Sequence, residues 1–105
     1  MLKKLPKEVK KYYERELRQY WSNKNKLKYL DKLNTRTIIF LAERIESIET
    51  VINSLDNFEK EVFYLIFKNN ASWSYCKNIK NISKTTYYNI FNKCIYMLAE
   101  EVGEI

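Results

Sequence analysis

Apolar residues recur along the chain at intervals of three and four, the spacing that places them on one face of an α-helix. The most regular run has intervals of 3, 4, 3, 4 and 3 residues and consists of Ile38, Leu41, Ile45, Ile48, Ile52 and Leu55. It predicts a helix from Thr35 to about Ser54. Because the same spacing forms a coiled-coil seam, these residues either pair with a second copy of the chain or pack inside its own core.

A first helix is predicted to begin at Pro6, whose fixed φ suits the first helical position, and to end near Trp21. Its apolar stripe consists of Val9, Tyr13, Leu17, Tyr20 and Trp21. We expect a break at residues 22–26, where serine and asparagines interrupt the pattern. Residues 1–34 are therefore expected to form a basic helical segment that precedes the remainder of the chain, residues 35–105.

A third helix is predicted from its N-terminal cap. Asp56 is a favourable N-cap, and Glu59 three residues later completes a capping box. The apolar face that follows extends to about Lys68. Asn69 and Asn70 come next, and asparagine forms turns and tolerates left-handed backbone geometry. We therefore expect a turn at these two residues.

The last third of the chain predicts a helix-turn-helix. Ser72 caps a helix of about two turns that ends near Ile79, and Ser83 caps a longer helix over residues 84–101. The tight turn Asn81-Ile82-Ser83 separates them. A short helix, a turn of three or four residues and a longer helix form a motif that places its second helix in the major groove of DNA.

The last helix has the two faces that a recognition helix needs. Its apolar sector consists of Tyr87, Ile90, Phe91, Cys94, Leu98 and Val102. The opposite sector is polar and consists of Thr85, Tyr88, Asn89, Asn92 and Tyr96. Asparagine can pair bidentately with adenine, and the threonine methyl can contact the methyl of thymine. We expect Lys84, Lys93 and the N-terminus of this helix to bind phosphates.

Composition favours an all-α fold and a polyanionic partner. One glycine and one proline are too few for the turns of a β-sandwich or barrel. The net charge of +6 is distributed as +8 over residues 1–36, −4 over residues 37–66 and +2 over residues 67–105. The basic first helix therefore either contacts the DNA backbone or is a solvated, charged face.

The residue inventory argues against catalysis. The chain has no histidine and two cysteines, too few for imidazole-based catalysis or a structural zinc site. Its single glycine, Gly103, excludes a glycine-rich phosphate loop. We therefore expect no enzymatic activity, no metal, no cofactor and no small-molecule substrate.

The N-terminus is charged where a signal segment is apolar, and no stretch approaches the roughly 18 apolar residues of a membrane span. These features favour a cytoplasmic protein without a membrane partner. Disulfides are rare in that compartment, so Cys76 and Cys94 are expected to be reduced, buried core residues.

Residues 56–98 resemble sigma factor region 4, a domain that reads an upstream promoter element. The similarity is greater still to small phage regulators of the RinA/ArpU type, through the Ser-Trp opening of the penultimate helix and the Ile-Ser-x-x-Thr-x-Tyr start of the recognition helix. This resemblance implies that Lys84, Thr85, Tyr88 and Asn89 face DNA. It also implies a core formed by Cys76, Ile79, Ile82, Tyr87 and Ile90, and the role of a late-gene activator.

The leading hypothesis is a transcriptional regulator of phage or prophage origin that binds double-stranded DNA sequence-specifically through helix 84–101. The candidate DNA-binding residues are Ser72, Lys77, Lys80, Ser83, Lys84, Thr85, Tyr88, Asn89, Asn92 and Lys93. The acidic residues 37–66 are expected to contact RNA polymerase or a second protomer. The alternatives are a helical protein–protein interaction module that uses the Ile/Leu seam, and a DNA-packaging subunit similar to a small terminase.

Overall fold

The structure, a computed structural model, describes residues 5–32 and 35–105. Over these ranges it contains six α-helices and no strand, which confirms the predicted all-α class. The helices are α1 (Lys7–Arg18), α2 (Tyr20–Lys26), α3 (Thr35–Ser54), α4 (Asn57–Phe63), α5 (Trp73–Lys80) and α6 (Lys84–Glu101). A 3-10 segment over Leu27–Lys32 follows α2, and a π-helical turn over Tyr64–Lys68 extends α4.

The helix caps lie where the sequence predicts them. α3 runs from Thr35 to Ser54, as its apolar spacing indicates. At the start of α4, Asp56 Oδ1 accepts a hydrogen bond from the Glu59 backbone at 2.8 Å, and Glu59 Oε1 accepts one from the Asp56 backbone at 3.0 Å. Ser72 and Ser83 are the N-caps of α5 and α6. These four predictions are confirmed.

The break after the first helix lies earlier than the sequence predicts. The helix is interrupted at Gln19, and residues 22–26 remain helical as part of α2. Tertiary contacts override the poor local propensity of these residues, because Asn23 is buried and the Tyr20 hydroxyl donates to Glu49 Oε2 on α3 at 2.6 Å. At the other end of α1, Pro6 is the N-cap and not the first helical residue.

The turn at Asn69 and Asn70 forms as predicted. It follows a π-helical turn, in which backbone hydrogen bonds span five residues or more, and not an ordinary α-helical end. The Asn69 backbone N–H donates to the Tyr64 carbonyl at 3.1 Å, and that of Ala71 donates to the Leu65 carbonyl at 2.8 Å. Asn70 has a φ of 53°, so this asparagine takes the left-handed conformation that closes the turn. The turn leads the chain directly into α5.

The Ile/Leu seam of α3 lies in the chain's own core. Leu41, Ile45, Ile48 and Ile52 are buried, and Ile38 is half-buried. Of the two uses predicted for the seam, core packing is therefore the one that the structure realises.

α6 is the central helix, packed against α1, α3, α4 and α5. Its buried face is wider than the sequence predicts, since Ile95 and Ala99 are buried as well. Both α1 and α3 pack on this helix. Cys76 and Cys94 are buried with free thiols, and this burial raises the pKa of both, that of Cys94 to about 12.

The N-terminal helices share the core with the rest of the chain. Tyr13 and Leu17 of α1 are buried in the cluster that also contains the inner faces of α3 and α6. The Tyr13 hydroxyl donates to Glu104 Oε1 at 2.9 Å, just beyond the end of α6. Glu16 and Arg44 form an ion pair of 3.0 Å between α1 and α3. These contacts hold α1 in one place against the helix-turn-helix.

Candidate nucleic-acid interface

The helix-turn-helix consists of α5, the turn 81–83 and α6. Ser72 Oγ accepts from the Tyr75 backbone at 3.3 Å, and Ser83 Oγ accepts from the Thr86 backbone at 3.1 Å. Asn81 ends α5 in the left-handed conformation with a φ of 54°. The two serines are exposed, but their hydroxyls are engaged by the capping bonds. Both therefore serve first to fix where the helices begin.

A single side chain ties α6 to the segment before α5. The Tyr87 hydroxyl donates to the Ala71 carbonyl at 2.9 Å, while the Tyr87 ring is buried. Burial raises the pKa of this hydroxyl, so it stays protonated and remains a donor. Cys76 of α5 and Ile82 of the turn are buried in the same core. The outward face of α6 is thereby held in a fixed orientation.

Three of the predicted base-reading side chains project from the first turns of α6. Thr85, Tyr88 and Asn89 are exposed, and Tyr88 exposes 43% of its surface although its ring packs edge-on against Tyr87. These positions follow one another at intervals of three and one, so they lie on one side of the helix. An exposed hydroxyl, phenol and amide at the start of a helix form a surface able to hydrogen-bond base edges.

The predicted phosphate-binding lysines divide into two pairs. Lys77 and Lys84 are exposed, and their Nζ atoms lie 5.3 and 5.8 Å from the ring centroid of Trp73. Lys80 and Lys93 instead pair with carboxylates of α4, those of Glu61 and Glu59. The first pair keeps its ammonium groups free of carboxylates over the described residues. It thus provides the stronger anion-binding positions beside α6.

Asn92 does not lie on the exposed surface as predicted. It is half-buried, and its Oδ1 is buried without a hydrogen-bond donor among the described residues. Tyr96, on the same predicted polar sector, is half-buried too. The fully exposed polar face is therefore restricted to the first two turns of α6. Asn92 is therefore less accessible than Thr85, Tyr88 and Asn89.

A second correction concerns Ile79, which the resemblance places in the core. Its side chain is 50% exposed. The buried side of α5 follows Trp73, Cys76 and Lys80, which are three to four residues apart, and Ile79 lies off this stripe. α5 is thus a short helix held by Cys76 and Trp73, with an apolar residue left on its surface.

Two features of the site have no signal in the sequence pattern. Lys10 of α1 has its Nζ 6.0 Å from the ring centroid of Phe91 on α6, and the Phe91 ring stacks on Phe67 of the π-helical turn at 5.6 Å. The pairing of Lys84 with Trp73 across the turn is equally tertiary. Only the spacing of Trp73 and Lys77, four residues apart on one helix, is visible in the sequence.

Charge is distributed unevenly from one end of α6 to the other. Val102, just past its C-terminus, lies beside Glu43 and Ser47 of α3. α6 has 18 residues and at about 1.5 Å per residue is roughly 27 Å long. Thr85 near its start is therefore roughly 25 Å from Val102 and the α3 residues beside it.

In the part of the chain that the structure describes, no cluster of three or more metal-binding side chains occurs. None of the helices over these ranges is long and apolar enough to traverse a bilayer. No family model matches the chain, and neither a curated protein nor a solved structure is significantly similar to it.

Proposed function

We propose that the protein is a sequence-specific, double-stranded DNA-binding regulator whose recognition helix is α6. The observation that carries this proposal is the exposed polar face formed by Thr85, Tyr88 and Asn89 on the second helix of a well-capped helix-turn-helix. Lys77 and Lys84 flank that face and neutralise phosphates at the edges of the groove. The resemblance to RinA/ArpU-type regulators supports a role in phage transcription, with late-gene activation as the expected form.

The test is selection of bound duplexes from fragments of the DNA that surrounds the gene. The wild-type protein is compared with a T85A/N89A variant, which removes two base-reading side chains from exposed positions and leaves the core intact. A matched control, T50A/N53A, removes the same two residue types from the exposed face of α3. Circular dichroism and thermal unfolding establish that all three proteins are equally folded.

We expect wild type and T50A/N53A to enrich one discrete site and T85A/N89A to lose that enrichment. Removal of the bidentate pair formed by Asn89 should by itself lower discrimination by about 1–3 kcal/mol. The proposal is overturned if T85A/N89A enriches the same site as wild type, or if no protein enriches any site. The position of the site relative to promoters then separates a transcription regulator from a packaging subunit.

A second candidate function, self-association through a helical surface, is favoured by the outer face of α3. Ile39 and Phe40 are 52% and 48% exposed and line a shallow groove of about 460 Å³ together with Arg36 and Glu43. In an antiparallel pair of α3 helices centred between Ile39 and Phe40, Arg36 of each copy lies opposite Glu43 of the other. The surface is thus self-complementary, as a two-fold interface requires.

Sedimentation equilibrium over a range of concentrations tests this dimer. Wild type should move from 12.8 kDa towards twice that mass as its concentration rises. Ile39→Glu should remain monomeric, because it places a charge at the centre of the interface. Phe58→Glu, a change at another exposed apolar residue on α4, serves as the control and should dimerise like wild type. A monomeric wild type at all concentrations overturns the candidate.

A further inference from the structure

We infer that α1 is a second DNA-binding element, in which Lys7, Lys10 and Lys11 bind phosphates that flank the groove entered by α6. This inference rests on the proposed function, which it extends from the reading of bases to the clamping of the backbone. It assigns to the basic N-terminal helix one of the two roles that its sequence leaves open.

One flank of α1 faces the helix-turn-helix. Lys7, Lys10, Lys11, Glu14 and Arg18 are spaced so that they share that side of the helix. Lys10 Nζ lies 6.0 Å from the Phe91 ring centroid on α6. At the other end of the flank, Arg18 donates to Asn70 Oδ1, just before α5, at 2.7 Å. The two contacts fix the flank against α6 and against the turn that precedes α5.

The flank also lies close to the exposed end of α6. The Phe91 ring, over which Lys10 is positioned, is itself 6.4 Å from the Tyr88 ring. Lys10 and Tyr88, a residue of the proposed base-reading face, therefore both lie near the same Phe91 ring. Lys7 and Lys11 are exposed and lie one turn apart, about 6 Å along the helix axis. Because each ammonium group is carried on a flexible four-carbon stem, the two can reach separate phosphates.

The acidic residues of α1 do not cancel these positive charges. Glu14 and Glu16 form ion pairs with arginines, at 3.1 and 3.0 Å, so their charges are already balanced. The third acid, Glu8, is exposed and forms no ion pair with Lys7 or Lys11 within the described ranges. Lys7 and Lys11 thus add two free ammonium groups to the flank of α1 whose Lys10 lies near Phe91 of α6.

Phosphates and not bases are the expected ligands of this flank. Lysine is a point charge on a flexible chain, which suits a phosphate oxygen and does not impose the bidentate geometry that discriminates bases. α1 also remains outside the motif that enters the groove. The contacts of α1 should therefore raise affinity for every duplex by the same factor and carry no sequence preference.

The test measures DNA affinity against salt concentration for a K7Q/K11Q variant. Both substitutions remove exposed charges that have no partner to disrupt among the described residues. The matched control is K26Q/K28Q, which removes two exposed lysines from the region that packs on α3. Each protein is titrated with a duplex carrying the selected site and with an unrelated duplex of the same length, between about 50 and 200 mM salt.

K7Q/K11Q should bind both duplexes more weakly by the same factor. The slope of log Kobs against log salt should become less steep by about 0.9 for each phosphate that is no longer neutralised, or about 1.8 for two phosphates. K26Q/K28Q should match wild type in affinity and slope. If K7Q/K11Q also matches wild type or the control, the inference is overturned, while base reading by α6 is unaffected.

The same measurements distinguish failure of base reading by α6 from failure of phosphate binding by α1. A wild-type protein that binds both duplexes equally overturns sequence reading by α6, and a shallower slope in K7Q/K11Q then still supports phosphate binding by α1. A wild-type protein that binds neither duplex overturns both. T85A/N89A completes the comparison, because it should lose preference for the selected site but keep the wild-type salt slope for unrelated DNA.

Discussion

Arg18 joins α1 to the turn that opens the helix-turn-helix, through a bond of 2.7 Å from its Nη1 to Asn70 Oδ1. The same nitrogen donates to the Ile66 carbonyl at 2.8 Å. That carbonyl lies in the last turn of a helix, where backbone acceptors lack an intrahelical donor. The guanidinium also lies 5.5 Å from the Phe67 ring centroid and pairs with Glu14. The charge of Arg18 is therefore used within the fold and not to bind DNA.

Arg18→Ala should lower the free energy of unfolding by about 1–3 kcal/mol, because it leaves the Ile66 carbonyl without its donor. Arg15→Ala, which removes an exposed arginine from the same helix, should change stability by no more than about 0.5 kcal/mol. Urea unfolding monitored by circular dichroism measures both. Equal effects for the two substitutions would show that the bonds to Ile66 and Asn70 contribute nothing.

Tyr87 and Tyr88 are adjacent, but the structure gives their hydroxyls different roles. Tyr87→Phe removes the bond to the Ala71 carbonyl and should destabilise the protein by about 0.5–1.5 kcal/mol. Tyr88→Phe should leave stability unchanged, because Tyr88 is exposed, and should weaken binding to the selected DNA site. Unfolding and DNA-binding measurements on both variants test the contrast. A drop in stability for Tyr88→Phe, or none for Tyr87→Phe, contradicts it.

The local structure is more predictable than the tertiary structure for a physical reason. The caps at Asp56, Ser72 and Ser83 depend on residues at most three positions away, so a short sequence window contains the whole interaction. The burial of Asn92 and the helical state of residues 22–26 depend on packing by distant helices. No local pattern encodes such packing.

In the candidate site, too, the features set by local sequence can be predicted and those set by tertiary packing cannot. The exposed face of Thr85, Tyr88 and Asn89 follows from helical periodicity within α6 alone. The sequence does not show which lysines lack a carboxylate partner, because the carboxylates that pair with Lys80 and Lys93 lie on α4. The position of α1 beside α6 likewise depends on interactions across the fold, such as that of its first turns with the aromatic rings of α6.

Tyr13 should make stability depend on alkaline pH. Burial and the hydrogen bond to Glu104 raise the pKa of its hydroxyl from 10.0 to about 12. The unfolded chain therefore loses this proton at lower pH than the folded protein does. The corresponding stabilisation is complete below pH 10 and is lost as pH rises through 12. Unfolding free energies at several pH values between about 8 and 11 should fall more steeply for wild type than for Tyr13→Phe. Parallel curves contradict this assignment.

The two cysteines should be unreactive in the folded protein. Both thiols are buried, and burial raises the pKa of Cys94 to about 12, which disfavours the reactive thiolate. A thiol reagent should therefore modify Cys76 and Cys94 slowly under native conditions and at once in denaturant. Rapid modification of either thiol in the folded protein would show that the core opens more readily than its packing indicates.

The ion pair between Glu16 and Arg44 is nearly buried, with side chains 10% and 12% exposed. The two atoms lie 3.0 Å apart without an aligned hydrogen bond, and the guanidinium is surrounded by the rings of Tyr12, Tyr13 and Phe40. Arg44→Met should therefore destabilise the protein by roughly 3 kcal/mol, because it leaves the Glu16 carboxylate without a counter-charge.

Adding Glu16→Gln to Arg44→Met removes that uncompensated charge. The double variant should be more stable than Arg44→Met alone, and its destabilisation should be smaller than the sum of those of the two single variants. Urea unfolding of the four proteins gives this coupling energy. Additive effects would mean that the aromatic rings around Arg44, and not its charge pair with Glu16, hold α1 against α3.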